Sequence, residues 1–391
     1  MKRKVMWIAV SLIVTLGLVI GAFGCAAPTP TPTTTPTPTP TATPTPVPTP
    51  TVEKHEWTMQ SWHGRGDSFF QVSQMFADMV TRDSGGRLTI ELFGSGELVP
   101  GGNEMDAVVE GSMEAGSGGT IAEMGKIGKS GTLFSTYPCG PNVNVAMDWF
   151  LEGGGMDLLQ EAYDVGGVDV LRLVPHTPSG AEPFGYFNRE IKTTADLGGL
   201  KFRTYGIYGE VLTKYFDVAV TAMPGGELYQ SLERGVLDAF EYAAPGTNWG
   251  LGFHEIAKFM YIPGIQGPWA TDSIGVNRDA WAALSPDLQS LVWDLAKATA
   301  LEGMAFLTKM DIDAMANYNE YAKTHDFEVK ELPIEVQKEI VMKCNEYYDE
   351  VMASGEDPMF NKTLTSLREF MEGSSQVRGK VWADYDKILG Q

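Results

Sequence analysis

Residues 53–391 are expected to form an α/β protein with two sheet-centred lobes and a long helix spanning both. Three observations predict this. Strand and helix patterns alternate on both sides of residue 174, the rhythm of a parallel sheet with covering helices. Residues 286–321 hold an almost unbroken helical pattern, roughly 50 Å at about 1.5 Å per residue, too long for one small lobe. The stretch after residue 52 is also long enough for two lobes or one large domain.

The elements follow in order. Residues 55–62 read as a first strand entering the loop WHGRGD, which contains Trp62. Residues 69–81 carry apolar side chains at helical spacing and end at Ser84-Gly85-Gly86. Residues 87–92 alternate as a strand, and 103–110 form the next helix. Residues 143–163 are helical, interrupted by three glycines at 153–155. The β-branched run 168–174 suits a central strand, and 175–183 is a loop. Beyond it come a strand at 200–204, a helix at 208–216 and a strand at 218–222. A helix opened by Pro224 and closed by Gly235 follows, then a strand at 236–242. Proline is well placed in a first helical turn, where its missing N–H costs nothing. A further strand ends near Gly264. After the long helix, 327–332 is a short strand, and 334–352 and 364–372 are helices packing across the back. The expected divisions are lobe I at 53–174, with a contribution from the C-terminal part, lobe II at 175–280, and the spanning and back helices at 281–391.

The N-terminus is a different kind of sequence. A basic head at residues 1–4, an apolar run at 5–23, then Gly24 and Cys25 describe a secretory signal. Cys25 resembles the lipid-modified first residue of bacterial lipoproteins, although Ala22 and Phe23 stand where Leu and a small residue are usual. An uncleaved transmembrane anchor is the alternative. Residues 26–52 are almost wholly Pro, Thr and Ala and cannot build a core. Polyproline geometry would let this spacer reach on the order of 50–80 Å at about 3.1 Å per residue. The reading is an extracytoplasmic domain tethered to a membrane.

A net charge of −21 argues against a nucleic-acid partner. Of three cysteines, Cys139 and Cys344 remain once Cys25 is set aside. A disulfide between them and two buried free thiols both fit an exported chain. No CxxC or HExxH spacing points to zinc.

The most specific stretch is 223–241, MPGGELYQSLERGVLDAFE. It resembles the signature region of the solute-binding subunits of TRAP (tripartite ATP-independent) transporters. WFLEGGG at 149–155, YFNRE at 186–190 and LKFRT at 200–204 match the same family. LGFHEIAK at 251–258 and YIPG at 261–264 resemble the branch that binds 2-oxo acids and lactate. The resemblance implies a type II-like periplasmic-binding-protein fold closing on one small organic acid. It also implies a permease with small and large membrane subunits, and no catalysis. Monomer and dimer are both left open.

The resemblance implies site residues one by one. Arg203, ending the 200–204 strand, matches the arginine that clamps the ligand carboxylate, and a planar guanidinium suits that task. Glu241 matches a metal ligand, and Tyr242 stands where the branch has Trp. Glu182 stands where the branch commonly has Gln. Two carboxylates facing a carboxylate ligand call for a cation, and oxygen ligands favour Ca²⁺ over zinc, with Na⁺ the alternative. The branch usually has another acid where this chain has Gly267, and Gln266 is the available oxygen donor beside it. Trp269 is expected as an apolar wall, Asn248 as a helix cap or ligand contact, and Trp62 as a lid or core residue. The alternative within the fold is a binding protein for an amino acid, sugar acid or aromatic acid; a hydrolase using Glu182 and Glu241 as paired carboxylates, and a stalked surface protein, are the competing classes.

Overall fold

The computed structural model describes residues 53–380. The signal segment with Cys25, the Pro/Thr spacer to residue 52 and residues 381–391 lie outside them. Among the described residues the strands, in chain order, are β1 (His55–Ser61), β2 (Leu88–Phe93), β3 (Ala115–Gly118), β4 (Val170–Arg172), β5 (Gly185–Phe187), β6 (Lys201–Arg203), β7 (Ala219–Thr221), β8 (Ala239–Phe240), β9 (Phe259–Ile262), β10 (Ser273–Asn277) and β11 (Glu328–Glu331). They form one sheet in the order β2-β1-β3-β10-β4 and a second in the order β11-β9-β5-β8-β6-β7.

In the first sheet β1 runs parallel to β2 and β3, as the strand–helix alternation requires, while β10 is antiparallel to β3 and β4. β10 therefore returns the chain to lobe I before residue 280, the expected end of lobe II. Its sequence SIGVN is short, with only Ile274 and Val276 as sizeable apolar side chains, so periodicity alone does not assign it to a lobe. In the second sheet β6 is parallel to β7 and β8, and β5 is antiparallel to β8 and β9. The expected strands at 168–174 and 236–242 shrink to three and two residues, because their flanks turn away from the ladder into loops.

The helices start and stop where local chemistry dictates. Asp67 caps Ser68–Asp83, its carboxylate accepting the Phe69 N–H at 2.8 Å. Gly154, at φ +83°, separates Val143–Glu152 from Gly155–Val165. Pro286 sits in the first turn of the long helix Pro286–Tyr321, which runs the full predicted length. Leu288, Val292, Leu295 and Ala296 of that helix pack into the core of the first sheet. Ala314 and Tyr318, further along, belong to the core of the second. One helix thus buries different turns in each lobe.

The helices Ile334–Ser354 and Pro358–Lys380 close the back. Cys344, Tyr348, Phe360 and Leu364 share a core with Trp149 and Phe150 of lobe I and with Phe202 and Tyr208 of lobe II. Fully burying side chains of this size contributes about 1.5–3 kcal/mol each. None of the described helices is long and apolar enough to cross a membrane.

Candidate functional site

The carboxyl ends of β1, β6, β8 and β9 converge on a cleft between the sheets, the place where α/β architectures bind ligands. The cleft encloses about 520 Å³. Lobe I supplies Trp62, His63 and Phe69; lobe II supplies Glu182, Arg203, Tyr205, Glu241, Tyr242 and Gln266.

Arg203 is the last residue of β6 and is buried. Its Nε donates to the Met223 carbonyl at 3.0 Å, and its Nη1 donates to the Glu241 carbonyl at 2.6 Å and to Glu241 Oε1 at 3.1 Å. The guanidinium lies over the rings of Tyr205 and Tyr242, 4.5 and 5.4 Å from their centroids. Backbone, carboxylate and two aromatic faces therefore fix one plane for it. Nη2 makes no hydrogen bond with any described residue.

Glu182 is buried across from Glu241. Burial first, and the Glu241 carboxylate second, push its carboxyl well above the usual range. Arg203 bonds Glu241 alone, so burial and the neighbouring carboxylate favour the protonated form of Glu182. Gln266 packs against this acid. Its Nε2 donates to the Pro183 carbonyl at 2.8 Å, and its buried Oε1 has no hydrogen-bond partner among the described residues. The glycine at 267, where an acid was expected, has a steric explanation. A Cβ on Gly267 would come within 2.4 Å of Glu182 Oε2. The Glu182 carboxylate occupies the space that a side chain at 267 would need. The Glu182 N–H also donates to the Gly267 carbonyl at 2.9 Å, which holds the two segments in register.

The opposite wall carries a cluster that sequence reading missed. His63 lies between Asp67 (Nδ1 to Oδ2, 3.3 Å) and Asp272 (Nε2 to Oδ2, 3.0 Å). Burial opposes its charge, but the two flanking carboxylates prevail and raise its pKa well above the ordinary value. The Tyr242 hydroxyl reaches across the cleft and donates to Asp67 Oδ2 at 3.0 Å. Ser68 and Thr247 hydroxyls also meet between the lobes, and the Trp62 ring meets Tyr205 edge-on at 6.2 Å. The lobes are closed on each other. His63 and Asp67 stand in the WHGRGD loop beside Trp62, and the helix-cap position of Asp67 was the signal available.

Of the residues named from sequence, Trp62, Glu182, Arg203, Glu241, Tyr242 and Gln266 line the cleft together. Trp269 does not. It is fully buried, with its ring 6.1 Å from that of Phe150, and its neighbours Ala270 and Thr271 face the cleft instead. Asn248 is also buried away from the cleft. Its Oδ1 accepts the Ala243 N–H at 3.2 Å and its Nδ2 donates to the Ala243 carbonyl, so it fixes the turn after Tyr242.

The chain matches the family model of bacterial extracellular solute-binding proteins, family 7 (DctP), over residues 60–355. It is 34% identical over 257 residues to the monocarboxylate 2-oxoacid-binding periplasmic protein of Nostoc sp., covering 65% of this chain and 68% of that one. A TRAP periplasmic solute-binding protein of Colwellia psychrerythraea, solved with bound calcium and pyruvate, superposes with a TM-score of 0.76 at 29% identity, over 84% of this chain and 98% of that one. A counterpart from Pseudoalteromonas atlantica, with bound sodium and pyruvate, gives 0.77 at 28% identity, over 84% and 97%.

Proposed function

The chain belongs to family 7 of the bacterial extracellular solute-binding proteins, the extracytoplasmic subunits of TRAP transporters, and from that premise we propose that it captures a 2-oxo or 2-hydroxy monocarboxylate as a cation complex. Members of this family are solute-binding proteins rather than enzymes, and they serve permeases with a small and a large membrane subunit. The observation that carries the finer reading is the acid pair Glu182–Glu241 beside a single fixed guanidinium. The relatives crystallised with pyruvate hold calcium or sodium.

The residues present fit such a cation. Glu182, Glu241 and the unpartnered Gln266 Oε1 are an all-oxygen donor set, which suits calcium or sodium rather than zinc. Among the described residues no group of three or more His, Cys, Asp and Glu forms a cation cage. The protein donors are therefore incomplete alone, and oxygens of the acid would complete the shell. A bound cation would neutralise the pair and allow Glu182 to ionise. Arg203, held by Met223 and Glu241, keeps Nη2 for the ligand carboxylate. Tyr205, Tyr242 and Trp62 exclude water from the space beyond it. That space exceeds a three-carbon acid, so a branched or aromatic side chain is accommodated.

The proposal extends to the parts outside the described residues. Cys25 is the attachment point, and the Pro/Thr-rich sequence joins it to lobes I and II. The test is a melting series on the full-length chain in mild detergent, stripped of ligand by unfolding and refolding. Pyruvate, lactate, branched and aryl 2-oxo acids are each added with calcium, sodium or chelator. A binder gains stability by mass action. A gain with 2-oxo acids that needs the cation supports the reading, and no gain with any carboxylate refutes it.

A further inference from the structure

We propose that Cys139 and Cys344 are joined as a disulfide in the exported protein, clamping one wall of the binding cleft to the helices at its back. This inference does not depend on which acid is bound.

The two sulfurs stand 2.8 Å apart across 205 residues of sequence. Cys344 lies on the inner face of Ile334–Ser354 and is fully buried; Cys139 is half-buried in the segment 135–140. Everything around the pair is fixed. The Cys139 N–H donates to the Ile265 carbonyl at 2.7 Å. The Tyr348 hydroxyl, one turn from Cys344, donates to the Pro138 carbonyl at 2.8 Å, and its ring meets Tyr137 at 5.3 Å. Cys139 itself has φ +59°, a left-handed conformation that non-glycine residues adopt only where the surroundings impose it. Ser135, Thr136 and Pro138 of the same segment line the cleft, and Ile265 precedes Gln266. A bond here would fix the wall opposite Arg203 before ligand arrives, so that closure orders fewer groups.

The compartment permits the bond, since extracytoplasmic proteins form and keep disulfides. The contact with Cys344, and then burial, raise the Cys139 thiol well above the ordinary value. In the folded chain Cys139 therefore holds little thiolate and reacts slowly. The bond is made while the chain is still folding. The Cys139 thiolate attacks a disulfide of an extracytoplasmic thiol–disulfide oxidoreductase, forming a mixed disulfide and releasing one donor thiolate. The Cys344 thiolate then attacks the Cys139 sulfur and expels the second. Two protons leave the chain, and its two electrons reduce the donor to a dithiol.

The test counts thiols in the full-length chain isolated from the extracytoplasmic side of its cell. The protein is denatured without reductant in N-ethylmaleimide and mapped by mass spectrometry. The expected result is no label on either cysteine, a cross-linked peptide pair, and label on both after reduction. Full labelling of both without reduction would overturn the proposal. A second readout is thermal. Reductant should lower the midpoint of the wild type by about 5–10 °C, the order expected for removing a long-loop cross-link, and should leave Cys139→Ser/Cys344→Ser unmoved. Equal midpoints with and without reductant in the wild type would also overturn it.

Discussion

Replacing Glu182 by Gln tests the charge balance of the cleft. Two buried carboxylates face each other beside one guanidinium, and that guanidinium is committed to Glu241 at 3.1 Å. Burial and Glu241 hold Glu182 protonated in the cation-free protein. The unfolded chain releases that proton above about pH 4.3. Between that value and the raised folded value, the native state carries one more proton than the unfolded state. Stability therefore falls as pH rises, by about 1.4 kcal/mol per pH unit, or roughly 3 °C of midpoint in a domain of this class. His63 adds a slope of the same sign: its raised pKa supplies stability that is complete below about pH 6.5 and fades as pH rises through the folded value. Glu182→Gln removes one proton's worth of slope and leaves that of His63. The assay is denaturant unfolding in chelator at half-unit steps from pH 5 to 8, for both proteins. Saturating calcium should flatten the wild-type curve toward that of the variant. Parallel curves in chelator would refute the assignment of a proton to Glu182.

Three further substitutions probe the same site. Arg203→Lys keeps the charge and loses the planar fork, so the affinity for pyruvate should fall about 10–100-fold by calorimetric titration; a change under threefold would contradict the clamp. Gly267→Ala places a methyl 2.4 Å from Glu182 Oε2, so it should cost about 1–3 kcal/mol of stability and abolish most of the calcium-dependent rise in melting temperature. Tyr242→Phe removes the bond to Asp67 that crosses the cleft; a bond to a charged acceptor contributes about 1.5–3 kcal/mol, so small-angle scattering should show a larger radius for the ligand-free variant, and affinity should fall about tenfold or more.

The sequence carried the outlines of this site unevenly. The long helix was legible because helical periodicity is sustained over 36 residues, and the break that the sequence left open does not occur. Arg203 and Glu241 were legible because one ends a strand and the other directly follows one, each inside a recognisable stretch. β10 was not legible, since a five-residue strand with two sizeable apolar side chains looks the same in either lobe until its partners β3 and β4 are known. Trp269 illustrates the limit for single residues: whether an aromatic faces a cleft or the Phe150 ring is decided by one flip of side in a loop. The relation of Gly267 to Glu182 lay beyond any local pattern. It joins positions 85 apart, and only the backbone pairing of the two loops turns a missing acid into room for another.

The central claim is that the cleft binds a 2-oxo or 2-hydroxy acid together with a cation. It is tested most directly by calorimetric titration of pyruvate into the ligand-stripped, full-length protein, once in chelator and once in calcium. The account predicts saturable one-to-one binding in calcium and at least tenfold weaker binding in chelator. Equal affinity in both conditions, or no saturation by pyruvate or any larger 2-oxo acid, would contradict it.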